Sequence, residues 1–174
     1  GLMAALFEET GRYIAIRFLV KPMDFPNAFM YGAGHGGVEA MLLCGVASIS
    51  NIASAVMINS GTMSAQLATL DAEKAADTAA ALSALWTTPS LTFFAGGVER
   101  IIAVVLHLSL SILVFQSIRK KSQKDLLNAY LFHFVIDSLS VLLSAVASVW
   151  VVELVVALVT GGAVLMAKYA CREE

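Results

Sequence analysis

The sequence predicts an all-α fold: a polytopic transmembrane helix bundle of about five spans, forming one membrane-embedded helical domain over residues 1–174. Three observations carry this. Of the 174 residues, 59% are hydrophobic and only 14% are charged, against roughly 45–50% and about 25% in soluble domains. Mean hydropathy is +0.81. The apolar residues also fall in runs of span length, separated by short polar or basic segments. Together these exclude a solvated globule, a disordered tail and a secreted disulfide scaffold. Cys44 and Cys171 lie in separate segments and define neither a disulfide nor a metal motif. The expected setting is a membrane, with lipid around the chain and no nucleic acid as partner.

The first span covers about residues 1–20 and is apolar apart from Glu8, Glu9, Arg12 and Arg17. Pro22, Asp24 and Pro26 make the following stretch a turn. A second apolar run, about residues 28–58, exceeds the length of one span, so it is expected to be tilted, broken or partly interfacial. Residues 59–88 form a polar loop rich in Ser, Thr and Ala, in which Asp71 to Trp86 can make a surface helix capped by Asp71. Pro89 suits the first turn of a third span, about residues 89–117. The basic loop from Arg119 to Lys124 ends it. A fourth span is expected at about 126–147 and a fifth at about 150–170, divided by a turn that holds neither Gly nor Pro.

Basic residues in short loops stay cytoplasmic. Arg17, Lys21 and the 119–124 loop therefore face the cytoplasm, and the 59–88 loop, with Lys74 as its one basic residue, is extracytoplasmic. No internal repeat of the kind found in many transporters is visible. The chain opens Gly1-Leu2, so it is expected to be truncated at its N-terminus.

Ionisable side chains inside spans are expensive and by default mark function or pairing. Here they are Glu8, Glu9 and Arg12; His35 and Glu39; Glu99, Arg100 and His107; His133 and Asp137; and Glu153. All three histidines of the chain lie in spans. At about 1.5 Å per residue, Glu8 and Glu9 lie roughly 18–20 Å from Lys21, and His107 roughly 18 Å from Arg119. His133 and Asp137 lie roughly 13 and 20 Å from Lys124, and His35 and Glu39 roughly 10–17 Å from the start of their helix. Four helices thus place acids and imidazoles in one slab. Glu8 with Arg12, His35 with Glu39, and His133 with Asp137 are each spaced i, i+4 and share a helical face. Arg100, His107 and Ser111 follow one stripe. Glu99 and Arg100, near the far end of their helix, read as a structural or gating ion pair, and Glu153 as interfacial.

Gly32-Ala33-Gly34-His35-Gly36-Gly37 matches a dinucleotide-binding pattern, but that pattern needs a preceding strand. In an apolar helix, Gly32 and Gly36 instead form a small face for close packing. So many glycines around His35 also leave room for a locally unwound backbone that could receive an extended peptide.

With Glu8-Glu9-Thr10-Gly11-Arg12, Gly34-His35-Gly36-Gly37-Val38-Glu39, Glu99-Arg100, His107 and His133-Phe134-Val135-Ile136-Asp137, the sequence resembles the YhfC family. These are bacterial polytopic proteins related to the type II CAAX prenyl endopeptidases and the PrsW proteases. The resemblance covers nearly the whole chain and implies further helices upstream. It implies peptide hydrolysis within the membrane by a glutamate-activated water, without a cofactor. On that resemblance Glu8 is the general base, with Glu9 as second choice, and Arg12 orients the neighbouring carboxylate. His133, positioned by Asp137, and either His35 or His107 would donate to the oxyanion, with Glu39 beside His35. The resemblance implies a bacterial cell membrane as the setting and a membrane-associated peptide or protein as the substrate. Two other readings stand beside it. His35, His107 and His133, with Glu39 and Asp137 near them, could bind zinc in a metalloprotease, although H-E-x-x-H is absent. A proton-coupled carrier or a non-catalytic scaffold also uses such residues.

Overall fold

The computed structural model describes residues 1–172, and every regular element among them is helical. Helix α1 (Leu2–Ile14) runs into a π-helical turn, Ala15–Leu19. Helix α2 (Phe25–Ala40) passes through a second π-helical turn, Met41–Gly45, into α3 (Val46–Asn59). Short α4 (Thr62–Leu67) and α5 (Ala72–Thr87) follow. Helices α6 (Ser90–Lys120), α7 (Gln123–Ser144) and α8 (Val149–Arg172) complete the chain.

Among the described residues, four helices are long and apolar enough to cross a membrane: Phe25–Asn59, Ser90–Lys120, Gln123–Ser144 and Val149–Arg172. The protein is an integral membrane protein. The long second run is helical throughout, with the π turn inside it, and the glycine-rich stretch around His35 stays wound. Helix α1 is not among the four, because Glu8, Glu9, Arg12 and Arg17 dilute its hydropathy. Its polarity is nonetheless that of a membrane helix, the reverse of a helix in a soluble protein. Leu2, Met3, Leu6, Phe7 and Ile14 are exposed, whereas Glu9 and Arg12 are completely buried.

The chain divides into two compact units, one made of Gly1–Ala40 with the chain from Val98 onward, the other of Met41–Gly97. The first contains the hydrophobic core. Helix α6 supplies its centre with Leu106, Leu110, Leu113, Val114 and Phe115. Small residues set the spacing around it. A Cβ at Gly32 would stand 2.9 Å from the Leu108 Cα, and one at Gly36 3.0 Å from the Val104 Cα. Helices α2 and α6 therefore meet backbone to backbone along the Gly32–Gly36 face, as the sequence pattern predicts. Helix α8 presents Val156, Thr160, Ala163 and Ala167, all buried, at helical spacing, and a Cβ at Gly162 would touch the Phe132 ring of α7. The turn from α6 to α7 is shorter than the basic run implies: Lys121 takes a positive φ of 55°, and Ser122 caps α7 through the Asp125 N–H.

In the second unit, Asp71 caps α5 as expected, accepting from the Lys74 N–H at 2.9 Å and from its ammonium at 2.8 Å. The Lys74 side chain and then its N–H hold the Asp71 carboxyl below the ordinary carboxylate value. Helix α4 was not expected. It starts at Gly61, whose φ of 76° reverses the chain after α3.

Candidate active site

The site begins at Arg12, fully buried on the inner face of α1. Its Nε–H donates to Glu9 Oε2 at 2.9 Å. Its Nη1 donates to the His107 carbonyl at 3.0 Å and to Ser111 Oγ at 2.6 Å, and Nη2 lies 2.8 Å from His107 Nδ1. One guanidinium thus ties α1 to two successive turns of α6, made reachable because Ser111 lies one turn beyond His107. A guanidinium has donors only, so His107 must accept at Nδ1. Its proton is then on Nε2, from which it donates to Glu39 Oε2 at 2.6 Å.

Glu9 performs the mirror-image task for His133. Its Oε1 accepts from His133 Nδ1 at 2.7 Å, which leaves Nε2 as the unengaged nitrogen. The nearest carboxylates to that Nε2, Asp137 Oδ2 at 3.7 Å and Glu8 Oε2 at 3.8 Å, are both beyond hydrogen-bond length. His35 is different again. Its Nε2 meets Glu8 Oε2 at 3.2 Å, and no hydrogen-bond partner fixes its Nδ1 among the described residues, so it can change tautomer. The three imidazoles lie together, with ring centroids 4.7 Å apart for His35 and His107 and 5.7 Å for His107 and His133.

The cluster has a buried back and an accessible front. Glu9, Arg12, His107 and His133 are buried, whereas the side chains of Glu8, Glu39 and Asp137 are 35, 28 and 30% exposed, and that of His35 is 22% exposed. Behind Glu39 stands Arg100, with Nη1 3.4 Å from Glu39 Oε1 and with Glu99 as its other partner.

Glu8, Glu9, Arg12, His35, Glu39, His107, His133 and Asp137 are therefore all linked in one network. The pairing inside it is not the one the i, i+4 spacing implies. Arg12 pairs with Glu9, not Glu8; His35 and Glu39 turn to partners on other helices; His133 takes Glu9 rather than Asp137 as its close partner. Spacing along one helix shows which residues share a face, but partners across helices lie closer. Ser111 and Arg100 complete the network. Their signal in the sequence is the stripe Arg100, His107, Ser111 on α6. Glu153, near the start of α8, is buried at 7% exposure.

Glu8, His35, Glu39 and His107 each offer one donor atom, all within 4.8 Å of one another. Imidazole and carboxylate donors are those of zinc and similar divalent ions. This group differs from the three histidines expected as a metal set, since His133 is replaced by two carboxylates. Within it the Arg12 contact reserves the His107 Nε2 for a proton. Glu8, His35 and Glu39 remain as donors with lone pairs to give, and three protein ligands with an open position are what a catalytic ion needs. The residues present fit a divalent metal.

A bundle of apolar helices around a buried histidine–carboxylate centre defines a membrane-embedded protein equipped for polar chemistry away from bulk water. Comparison places it more narrowly. The profile of a family described as YhfC intramembrane metalloprotease matches residues 1–156, and the chain belongs to that family. It is 37% identical over 161 residues to the "Uncharacterized membrane protein YhfC" of Bacillus subtilis (strain 168), an alignment covering 91% of this chain and 62% of the relative. The chain thus spans somewhat under two thirds of that relative's length. No solved structure matches it. These findings correct one expectation. Chemistry without a cofactor is overturned by the metalloprotease character of the family and by the donor group around Glu8, His35 and Glu39.

Proposed function

We propose that this chain carries the catalytic core of a metal-dependent intramembrane endopeptidase that hydrolyses a peptide bond of a membrane-associated peptide or protein. The observation that carries the reading is the division of labour among the histidines. Arg12 holds the His107 proton on Nε2, Glu9 holds the His133 proton on Nδ1, and His35 is left adaptable beside two accessible carboxylates.

Glu8, His35 and Glu39 would hold a divalent ion, which when bound polarises a carbonyl and lowers the pKa of water. His35 releases its Nε2 proton on taking up that role, while Glu39 is oriented by Arg100 on one oxygen and His107 on the other, as ligating carboxylates commonly are. His133 Nε2 stands 3.7–3.8 Å from the partly exposed Asp137 and Glu8 carboxylates with its lone pair available. It takes the proton of the attacking water and returns it to the leaving amine. Asp137 and Glu8 flank the imidazolium so formed. The Nε2–H of His107 is given to Glu39 Oε2 at 2.6 Å, so His107 positions the carboxylate that would hold the ion. The burial of Arg12 and Glu9 keeps both imidazoles in one orientation throughout.

Glu8 supports a second assignment, because it is the most exposed carboxylate of the group, 3.2 Å from His35 Nε2 and 3.8 Å from His133 Nε2. It could be the base that activates water rather than a ligand. One experiment separates these roles and tests the whole reading. The full-length protein is purified, its metal content measured, and cleavage of a fluorogenic single-span peptide followed before and after chelation. Bound metal and chelator-sensitive cleavage restored by zinc are expected. Loss of metal in Glu8→Gln makes Glu8 a ligand; retained metal with lost cleavage makes it the base. Cleavage indifferent to chelators, or uptake of a solute without cleavage, would overturn the proposal.

A further inference from the structure

A second cavity, of about 270 Å³, opens between α6, α7 and α8 in the same unit, away from the basic turn at Lys121. Glu99 and Glu153 line it together with Ser140, Ser144, Val152 and Val156. Glu153 is the unusual member. It is 93% buried, being 7% exposed, and its Oε2 has no hydrogen-bond partner. A buried carboxylate oxygen without a partner is costly, so a residue of this kind at a cavity wall points to a ligand that supplies what the protein does not. Ser144 donates its hydroxyl proton to the Val141 carbonyl at 2.9 Å, leaving only lone pairs for a ligand. None of the lining residues is basic. Arg100, the nearest cation along α6, is already engaged by Glu99 and Glu39.

The lining decides what kind of cation fits. A hard metal ion needs six or more oxygens around a small sphere, whereas this space is large and its walls are mainly apolar. Acidic groups in an apolar-walled cavity match an amphipathic cation, whose methylene stem packs on Val152 and Val156 while its head meets Glu153.

The position relates the cavity to the chemistry. Ser140 and Ser144 stand seven and eleven residues beyond His133 on α7, hence roughly 10–17 Å away along the helix. Glu99 stands eight residues from His107 on α6, hence roughly 12 Å away. An extended peptide advances about 3.3 Å per residue. We propose that this cavity is a specificity subsite for a lysine or arginine side chain of the peptide substrate, about three to five residues from the scissile bond. The proposal rests on the endopeptidase reading and names the substrate class it serves.

The test uses the full-length protein in phosphatidylcholine nanodiscs, which offer no primary amine of their own. Single-span peptides differ only in one residue, placed three, four or five positions from the cleaved bond: lysine, arginine, norleucine or glutamate. The wild type is expected to cleave the lysine and arginine peptides with kcat/KM about tenfold or more above the norleucine peptide at one of these positions. In Glu153→Gln that ratio is expected to fall to within about twofold, and in Glu153→Lys the glutamate peptide should become the preferred one. A ratio measured on one preparation does not depend on how much of a variant folds. Equal cleavage of lysine and norleucine peptides by the wild type overturns the subsite and leaves the endopeptidase reading standing. Absence of all cleavage overturns that reading instead. Anisotropy of labelled lysine and norleucine peptides then judges the subsite alone, and equal affinities overturn it.

Discussion

Arg12 Nη2 lies 2.8 Å from His107 Nδ1, and this contact assigns the proton on an imidazole 95 residues away in sequence. Because a guanidinium can only donate, His107 is a donor at Nε2. Imidazole nitrogen chemical shifts of the labelled protein check this directly. An unprotonated Nδ1 is expected for His107 and a protonated one for His133. Identical tautomers at the two residues would contradict the roles given to them.

The same arginine is a buried charge with a single carboxylate partner, Glu9. Removing one member of such a pair typically costs about 3–5 kcal/mol, because the other is stranded. Arg12→Met is therefore expected to lower thermal stability sharply. The double variant Arg12→Met with Glu9→Gln should recover part of the loss, since no charge is then left unpaired. Arg12→Lys cannot reproduce the fork that reaches Glu9, Ser111 and His107 together, and should lose cleavage even where it folds. Unfolding in detergent followed by tryptophan fluorescence reads the first two, and the cleavage assay reads the third.

Metal content separates ligands from their supports. His35→Ala and Glu39→Gln are expected to purify without stoichiometric metal. His133→Gln should keep the ion and lose turnover. His107→Gln removes the hydrogen bond that orients Glu39 and should weaken metal binding about 10- to 100-fold. Elemental analysis beside a cleavage assay distinguishes these patterns; an ion lost in His107→Gln but kept in His35→Ala would invert the assignment.

The glycines of α2 divide into two kinds. At Gly32 and Gly36 a Cβ meets the α6 backbone at 2.9–3.0 Å, and backbone cannot swing aside. Gly32→Val and Gly36→Val should separate α2 from α6, carrying His35 and Glu39 away from His107, at a cost of about 1–3 kcal/mol or more. At Gly34 and Gly37 nothing lies within 4 Å of the added atom. Gly34→Ala and Gly37→Ala should be neutral or stabilising by about 0.5–1 kcal/mol. Thermal midpoints of the four variants in one detergent settle the comparison.

The sequence alone determined that this is a membrane bundle, where its helices run to within a few residues, and which ionisable side chains share a depth. Those properties depend on local quantities: hydropathy summed over a span, 1.5 Å of rise per residue, and the turn chemistry of residues such as Asp71. Gly32 and Gly36 were legible as a packing face for the same reason. The tertiary structure alone decided who pairs with whom. Glu8 and Glu9 are about 100° apart on α1, and only the placement of α2, α6 and α7 turns Glu9 inward to Arg12 and His133 and leaves Glu8 facing His35. The burial of Glu153 was hidden likewise, because a carboxylate near a helix end is exposed or enclosed according to neighbours from other helices. Hydrogen-bond partners and proton positions are set over distances of about 3 Å, and contacts of that length between helices are made by packing, not by order along the chain.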